Sequence, residues 1–103
     1  MPIVYGEFDQ AALDAAYDNS AHVGPEKRAA YVGGWATRSD ELRARTPHEA
    51  DLAYGSGPRE VLDFVPCGSP GAPTFAFIHG GYWQYNDKRS SFHLASGVLA
   101  HGI

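Results

Sequence analysis

The ten residues from Thr74 to Trp83 constrain the fold of this chain more than any other stretch. Thr74 is followed by the apolar run Phe75–Ile78, with Pro73 shortly before the run and Gly80-Gly81 shortly after it. Such a run, rich in aromatic and branched side chains, predicts a buried strand that leads into a tight loop. Because its apolar residues are successive rather than alternate, we expect cover on both faces of the strand, as in a parallel sheet.

The predicted loop, His79–Trp83, combines one histidine, two glycines and two aromatic residues. Glycine lets backbone N–H groups approach a ligand without a Cβ atom in the way. Two such N–H groups can stabilise a developing oxyanion, so the loop is a candidate catalytic element. The alternative is an ordinary glycine-rich turn between a strand and a helix, in which the aromatic side chains only pack.

A strand followed by His-Gly-Gly resembles the H-G-G-G oxyanion loop of the α/β-hydrolases. The fuller string His79–Trp83 (HGGYW), with Asp87-Lys88 after it, is similar to the kynurenine formamidase (arylformamidase) and carboxylesterase branch of that superfamily. Tyr54-Gly55 and Leu62-Asp63 also match the tyrosine-glycine and leucine-aspartate pairs that precede the oxyanion strand in esterases of this branch. The resemblance implies an α/β fold, of which this chain would hold the N-terminal helices, the first strands, the oxyanion loop and the following helix.

The resemblance also implies roles for the loop residues. By the family pattern, the backbone N–H groups of Gly81 and Tyr82 face the oxyanion, with Tyr82 in place of the third glycine. Gly80 allows the turn, and His79 shapes the loop by hydrogen bonding without being the triad histidine. The side chains of Tyr82 and Trp83 either form an aromatic wall for an aryl substrate or pack against the N-terminal helices.

The remaining parts of an acyl-transfer site are not recognised in this sequence. Acyl transfer needs a nucleophile, a base and an orienting acid, and α/β-hydrolases carry the nucleophile in G-x-S-x-G after the oxyanion loop. No glycine here is followed two positions later by serine. We therefore expect a longer enzyme in which the nucleophile, acid and base follow Ile103 in that order. A local triad of Ser90 or Ser91 with His93 has the spacing of a helix cap and a helix surface instead.

Charge and composition limit the other kinds of function. The chain has 8 basic and 12 acidic residues, and a net charge of −4 argues against binding to nucleic acid or an anionic membrane. Its single cysteine, Cys67, excludes an internal disulfide, and its five scattered histidines predict neither a metal site nor a cofactor. No leader-like or membrane-spanning run is visible, so a cytoplasmic protein acting on a small ester or formamide is expected, with a homo-oligomer left open.

The chain is predicted to have two parts: an N-terminal helical segment (1–47) and the start of the hydrolase core (48–103). Residues 1–7 are predicted to be a loose lead-in. The predicted elements are helices over 9–17, 25–45 and 91–100 and strands over 51–54, 60–65 and 75–78.

Local signals set the bounds of these helices. Asp9 is the expected N-cap of the first helix, and residues 18–20 are its expected stop. The second helix is expected to have Pro25 at its first position, to end before Thr46-Pro47, and to bend or break at Gly33-Gly34. Ser90 or Ser91 is the expected N-cap of the last helix, and Gly102 is its expected end.

Two function hypotheses from different classes follow. In the first, the chain is the N-terminal portion of a serine hydrolase that cleaves an aryl-formamide or a carboxylic ester through an acyl-enzyme. In the second, it is a truncated or split hydrolase half that acts only by pairing with a partner chain or scaffold, or that is a remnant. Whether the reading frame continues past Ile103 separates the two.

Overall fold

A computed structural model describes residues 2–81 and 86–103. The chain divides into two compact units, one ending at Val32 and the other spanning Gly33–Ile103. Within the described ranges, no helix is both long enough and apolar enough to cross a membrane.

The first unit begins with a hairpin, where the sequence predicted a loose lead-in. Strand β1 (Ile3–Tyr5) pairs antiparallel with β2 (Phe8–Asp9). Between them, Gly6 has a φ of 55°, a left-handed conformation that glycine adopts without strain. Strands of three and two residues are too short to show an alternating pattern, so the prediction for this segment was wrong.

Two short helices, each capped by an aspartate, follow the hairpin. Helix α1 (Gln10–Tyr17) confirms the predicted helix and its N-cap, because the Asp9 carboxylate accepts a backbone N–H three residues on at 2.8 Å. Asp18 makes the same contact at 3.0 Å and starts α2 (Asn19–Val23), where a stop was predicted. The residue that ends one helix thus begins the next.

Helix α3 (Pro25–Arg45) has the predicted bounds. Pro25 occupies the first helical position, where its missing N–H costs nothing and its fixed φ favours the helix. The Gly33-Gly34 pair, expected to bend or interrupt the helix, lies within one continuous element.

The core of the second unit is small. Among the described residues, only Leu42 on α3 and Phe92 are buried apolar side chains, exposed by 5% and 6%. The Arg43 guanidinium lies 4.7 Å from the centre of the Phe92 ring, and the His48 ring meets it edge-on at 4.9 Å. A cation and an aromatic edge therefore supplement the apolar packing around Phe92.

A β-hairpin follows α3. Strand β3 (Glu49–Ala53) pairs antiparallel with β4 (Val61–Phe64), with Leu52 opposite Leu62. Both strands confirm the predictions within two residues. The connection is tight, because a Cβ at Gly55 would collide with the Glu60 carboxylate.

The apolar run Phe75–Ile78 is not a strand in this structure, and the prediction of a buried strand was wrong for the chain as described. Phe75 is 54% exposed, Phe77 52% and Ile78 87%. A strand is defined by its hydrogen-bonded neighbour, and in residues 2–81 and 86–103 the sheets contain only the β1–β2 and β3–β4 pairs. Two such pairs do not test the α/β-hydrolase architecture, which stays a prediction.

This exposure predicts that the 103-residue chain associates in solution, because an unpaired apolar segment can pair with a second chain. Ile78→Lys should shift the chain toward the monomer, whereas Val23→Lys, at the end of α2, should not. Size-exclusion chromatography with light scattering measures the mass of each variant. A sharp monomeric peak for the unsubstituted chain, together with cooperative melting, would contradict this expectation.

The chain ends in a 3₁₀ helix (Lys88–Leu94) that continues into α4 (Ala95–Leu99). The N-cap is Asp87, which accepts a backbone N–H at 2.8 Å, rather than the predicted Ser90 or Ser91. Aspartate caps a helix as well as serine does, so the helical segment starts earlier than predicted. Gly102, with a φ of 75°, ends it as predicted.

Candidate functional site

The predicted oxyanion loop is described in part. His79, Gly80 and Gly81 belong to the described residues, and Tyr82 and Trp83 lie outside them. The roles predicted for the Tyr82 N–H and for both aromatic side chains therefore stay predictions. Within the described part of the loop, the peptide between Gly80 and Gly81 has a defined geometry.

Two side chains converge on the carbonyl oxygen of Gly80. His79 Nδ1 lies 2.9 Å from it, and Asn86 Nδ2 donates to it at 2.9 Å. A carbonyl oxygen only accepts, so the His79 Nδ1 must carry the proton in this contact. The two donors use both lone pairs of the oxygen and hold it from two directions.

Fixing the Gly80 carbonyl orients the Gly81 N–H, since both belong to one planar peptide unit. This peptide is trans, so the N–H points away from the carbonyl oxygen. Gly81 is only partly exposed, and no hydrogen bond within the described residues occupies its N–H. The loop thus presents a backbone donor of fixed direction, which is the element that an oxyanion hole requires.

The conformation of Gly81 explains why glycine stands there. Its φ of 138° lies in the range that residues with a Cβ atom rarely adopt. Any other residue at this position would have to move the peptide away from its present orientation.

Sequence reasoning did not single out Asn86. Its φ of 69° is left-handed, a conformation that asparagine tolerates better than most residues. Its own carbonyl accepts from Arg59 Nη2 at 3.1 Å, and Arg59 lies in the connection between β3 and β4. Asparagine next to a capping aspartate was the only local signal that a turn begins here.

Lys88 ties the segment after the loop to the hairpin. Its Nζ lies 2.7 Å from Oδ1 of Asp63 and 2.7 Å from Oδ1 of Asp51. The Asp63 side chain is only 8% exposed, whereas that of Asp51 is 70% exposed. Since exposed ion pairs contribute little to the free energy of unfolding, the contact of Lys88 with Asp63 is the one that stabilises the fold.

Opposing effects set the pKa values of this pair. Burial alone would raise the pKa of Asp63, but hydrogen bonds from Lys88 and from the Asp51 backbone outweigh it, so the pKa is lower than its ordinary 3.8. Burial alone would lower the pKa of Lys88, but its two carboxylate partners raise it above its ordinary 10.5. Both shifts favour the charged forms.

Lys88→Met is expected to lower the free energy of unfolding by about 1–3 kcal/mol at neutral pH, because it leaves the buried Asp63 carboxylate without its cation. The lowered pKa of Asp63 gives a stabilisation that is present above pH 3.8 and lost as pH falls through the folded-state value. The raised pKa of Lys88 gives one that is present below pH 10.5 and lost at higher pH.

Urea denaturation of both proteins across this range measures the difference. Lys27→Met, at the exposed start of α3, is the matched control and should change little. An unfolding free energy difference for Lys88→Met that does not shrink as pH falls below 3.8 would contradict this account of Asp63.

His93 is engaged by a buried serine rather than by its sequence neighbours. Ser39, fully buried on α3, accepts the His93 backbone N–H at 3.0 Å, and its Oγ lies 3.0 Å from His93 Nδ1. Among the described residues, no side-chain hydrogen bond joins His93 to Ser90 or Ser91. A serine with no exposed surface cannot attack a substrate, so we interpret this pair as structural.

Across residues 2–81 and 86–103, no group of three His, Cys, Asp or Glu side chains is placed to hold a metal ion. The N–H groups of the His79 and Asn86 side chains are used by the Gly80 carbonyl, so the Gly81 N–H is the loop donor that stays available for a ligand in the described residues.

Comparison with known proteins finds similar sequences over part of the chain. The sequence is 33% identical to a kynurenine formamidase of Danio rerio over 75 residues, which is 71% of this chain. It is 36% identical to a kynurenine formamidase of Salmo salar over 55 residues, which is 52% of this chain. The chain is related to kynurenine formamidases. It spans 26% and 19% of the length of these two proteins. No protein-family profile and no solved structure matches it.

Proposed function

We propose that this chain is the N-terminal part of a serine hydrolase similar to kynurenine formamidase, which cleaves an aryl-formamide or carboxylic ester through an acyl-enzyme. The chain would contribute the oxyanion loop. One observation carries the proposal: the Gly80 carbonyl is held by two side chains, so the Gly81 N–H has a fixed direction. The similarity to proteins named kynurenine formamidase supports a formamide as the substrate.

The proposed chemistry proceeds in two stages. A serine oxygen bonds to the formyl carbon, its proton passes to a histidine, and the carbonyl oxygen becomes an oxyanion that accepts the Gly81 N–H. The C–N bond then breaks, and the arylamine leaves with the proton from the histidine. Water hydrolyses the formyl-serine ester and releases formate. No cofactor or metal enters this sequence.

A pre-oriented donor is effective in this reaction because negative charge develops on the oxygen only in the transition state. A backbone N–H that already points at that position needs no reorganisation when the charge appears. The donor therefore stabilises the transition state more than it stabilises the bound substrate, which raises kcat rather than only lowering KM.

Steady-state turnover of N-formylkynurenine and of a short p-nitrophenyl ester by the complete protein tests the proposal. We expect both compounds to be hydrolysed, with the higher kcat/KM for the formamide. Hydrolysis of neither would contradict the proposed function. Hydrolysis of the ester alone would contradict the assigned substrate and leave an esterase.

A second candidate function is favoured by the exposed apolar surface. The side chains of Phe75, Phe77, Leu94 and Val98 border an open apolar groove of about 480 Å³. In this alternative, the chain acts only by pairing with a partner, and catalysis is absent. The turnover assay separates the two candidates.

A further inference from the structure

We propose that Asn86 is a positioning residue of the oxyanion loop, because its side-chain amide holds the Gly80 carbonyl and thereby directs the Gly81 N–H. The inference rests on the proposed function for its catalytic consequence. The contact itself, 2.9 Å between Asn86 Nδ2 and the Gly80 oxygen, is independent of that function. Asn86 lies six residues from Gly80 and would touch no substrate atom in this role.

The Gly80–Gly81 peptide plane can rotate unless its carbonyl oxygen is held. Rotation of the Gly80–Gly81 peptide about its flanking bonds moves the carbonyl oxygen and the N–H in opposite directions. Glycine on both sides leaves that rotation unusually free. His79 restrains the oxygen from an adjacent residue. Among the residues that the structure describes, Asn86 is the one that restrains it from beyond the loop.

Asn86 is itself held by neighbouring elements. Arg59 Nη2 donates to its carbonyl at 3.1 Å, and Lys88, two residues on, is bound to Asp63 of β4. Asp87 caps the 3₁₀ helix in between. The residue that carries this amide is therefore tied to the β3–β4 hairpin and to the 3₁₀ helix.

Asparagine suits position 86 for two reasons. The role needs a short neutral donor on a backbone with a φ of 69°. Asparagine provides both, since it tolerates the left-handed region and its amide nitrogen donates. Aspartate has the same shape but its carboxylate only accepts, and glycine keeps the backbone conformation without any side chain. Both replacements therefore remove the side-chain donor and keep the backbone conformation.

Asn86→Asp and Asn86→Gly in the complete protein are expected to lower kcat for N-formylkynurenine by about tenfold, the factor that corresponds to one hydrogen bond of ordinary strength. KM and Tm should change little, because the contact is exposed and positions the donor for the transition state. Asn19→Asp, at the exposed start of α2, is the matched control. Unchanged kcat in both Asn86 variants of an active protein would overturn the inference.

A second readout does not depend on activity. Protein labelled with [1-¹³C, ¹⁵N]glycine gives an HNCO signal only where two glycines are adjacent, and this chain contributes Gly33-Gly34 and Gly80-Gly81. We expect the Gly80 carbonyl resonance to move upfield in both Asn86 variants, while that of Gly33 in α3 stays in place. An unmoved Gly80 resonance would overturn the inference, whether or not the protein is active. Failure of the wild-type protein to hydrolyse either substrate would contradict only the proposed function.

Discussion

Replacement of the Gly81 N–H by an ester oxygen is expected to lower kcat of the complete protein by about 10²–10³-fold, the usual cost of one oxyanion donor. Incorporation of glycolic acid at position 81 makes this change without adding a side chain. It keeps the glycine-like freedom that the φ of 138° requires. KM should be nearly unchanged, since the oxyanion forms only in the transition state.

The same chemical change at Gly68 is the matched control. Gly68 is an exposed turn glycine with a φ of 83°, and it lies outside the loop. Gly81→Pro should reduce kcat at least as strongly, because proline removes the donor and also forces φ to about −65°. Near-normal kcat in a correctly folded protein with glycolic acid at position 81 would show that the Gly81 N–H is not the donor.

The second large effect is expected from the 103-residue chain alone, which should show no hydrolase turnover. It has no G-x-S-x-G nucleophile motif. Its His93 is paired with Ser39, whose side chain has no exposed surface. An oxyanion donor without a nucleophile has no tetrahedral intermediate to stabilise, so any rate should be that of the buffer.

Purified chain at high concentration, assayed with N-formylkynurenine and a short p-nitrophenyl ester, provides the measurement. Ser39→Ala, Ser90→Ala and His93→Ala preparations identify a local site if turnover is found. Activity that Ser90→Ala or His93→Ala abolishes would contradict the expectation, because it would locate a nucleophile or base in this chain.

The helices could be predicted from the sequence because their signals are local. Pro25 at the first position and Thr46-Pro47 after the last gave both bounds of α3, and Asp9 gave the start of α1. Capping and proline geometry act over three or four residues, so a single sequence contains the whole cause. Strand β4 could be predicted in the same way, because its side chains alternate between two faces.

Burial of Phe75–Ile78 could not be predicted in the same way, because it depends on neighbours that the pattern does not specify. An apolar run indicates that a segment needs cover, and it does not state which segment provides that cover. The contact between Asn86 and Gly80 was missed for a related reason. It joins two irregular segments, where no periodicity links the residues, and it depends on the left-handed φ of Asn86.

The central claim is that the Gly81 N–H faces a developing oxyanion, and one spectrum of the complete protein tests it directly. A boronic acid forms a tetrahedral adduct with a nucleophilic serine and places an oxygen at the oxyanion position. In glycine-labelled protein, the Gly81 amide proton is expected to move downfield when an aryl boronic acid binds, while that of Gly34 stays in place. If the boronic acid inhibits turnover and the Gly81 signal does not move, Gly81 is not the oxyanion donor.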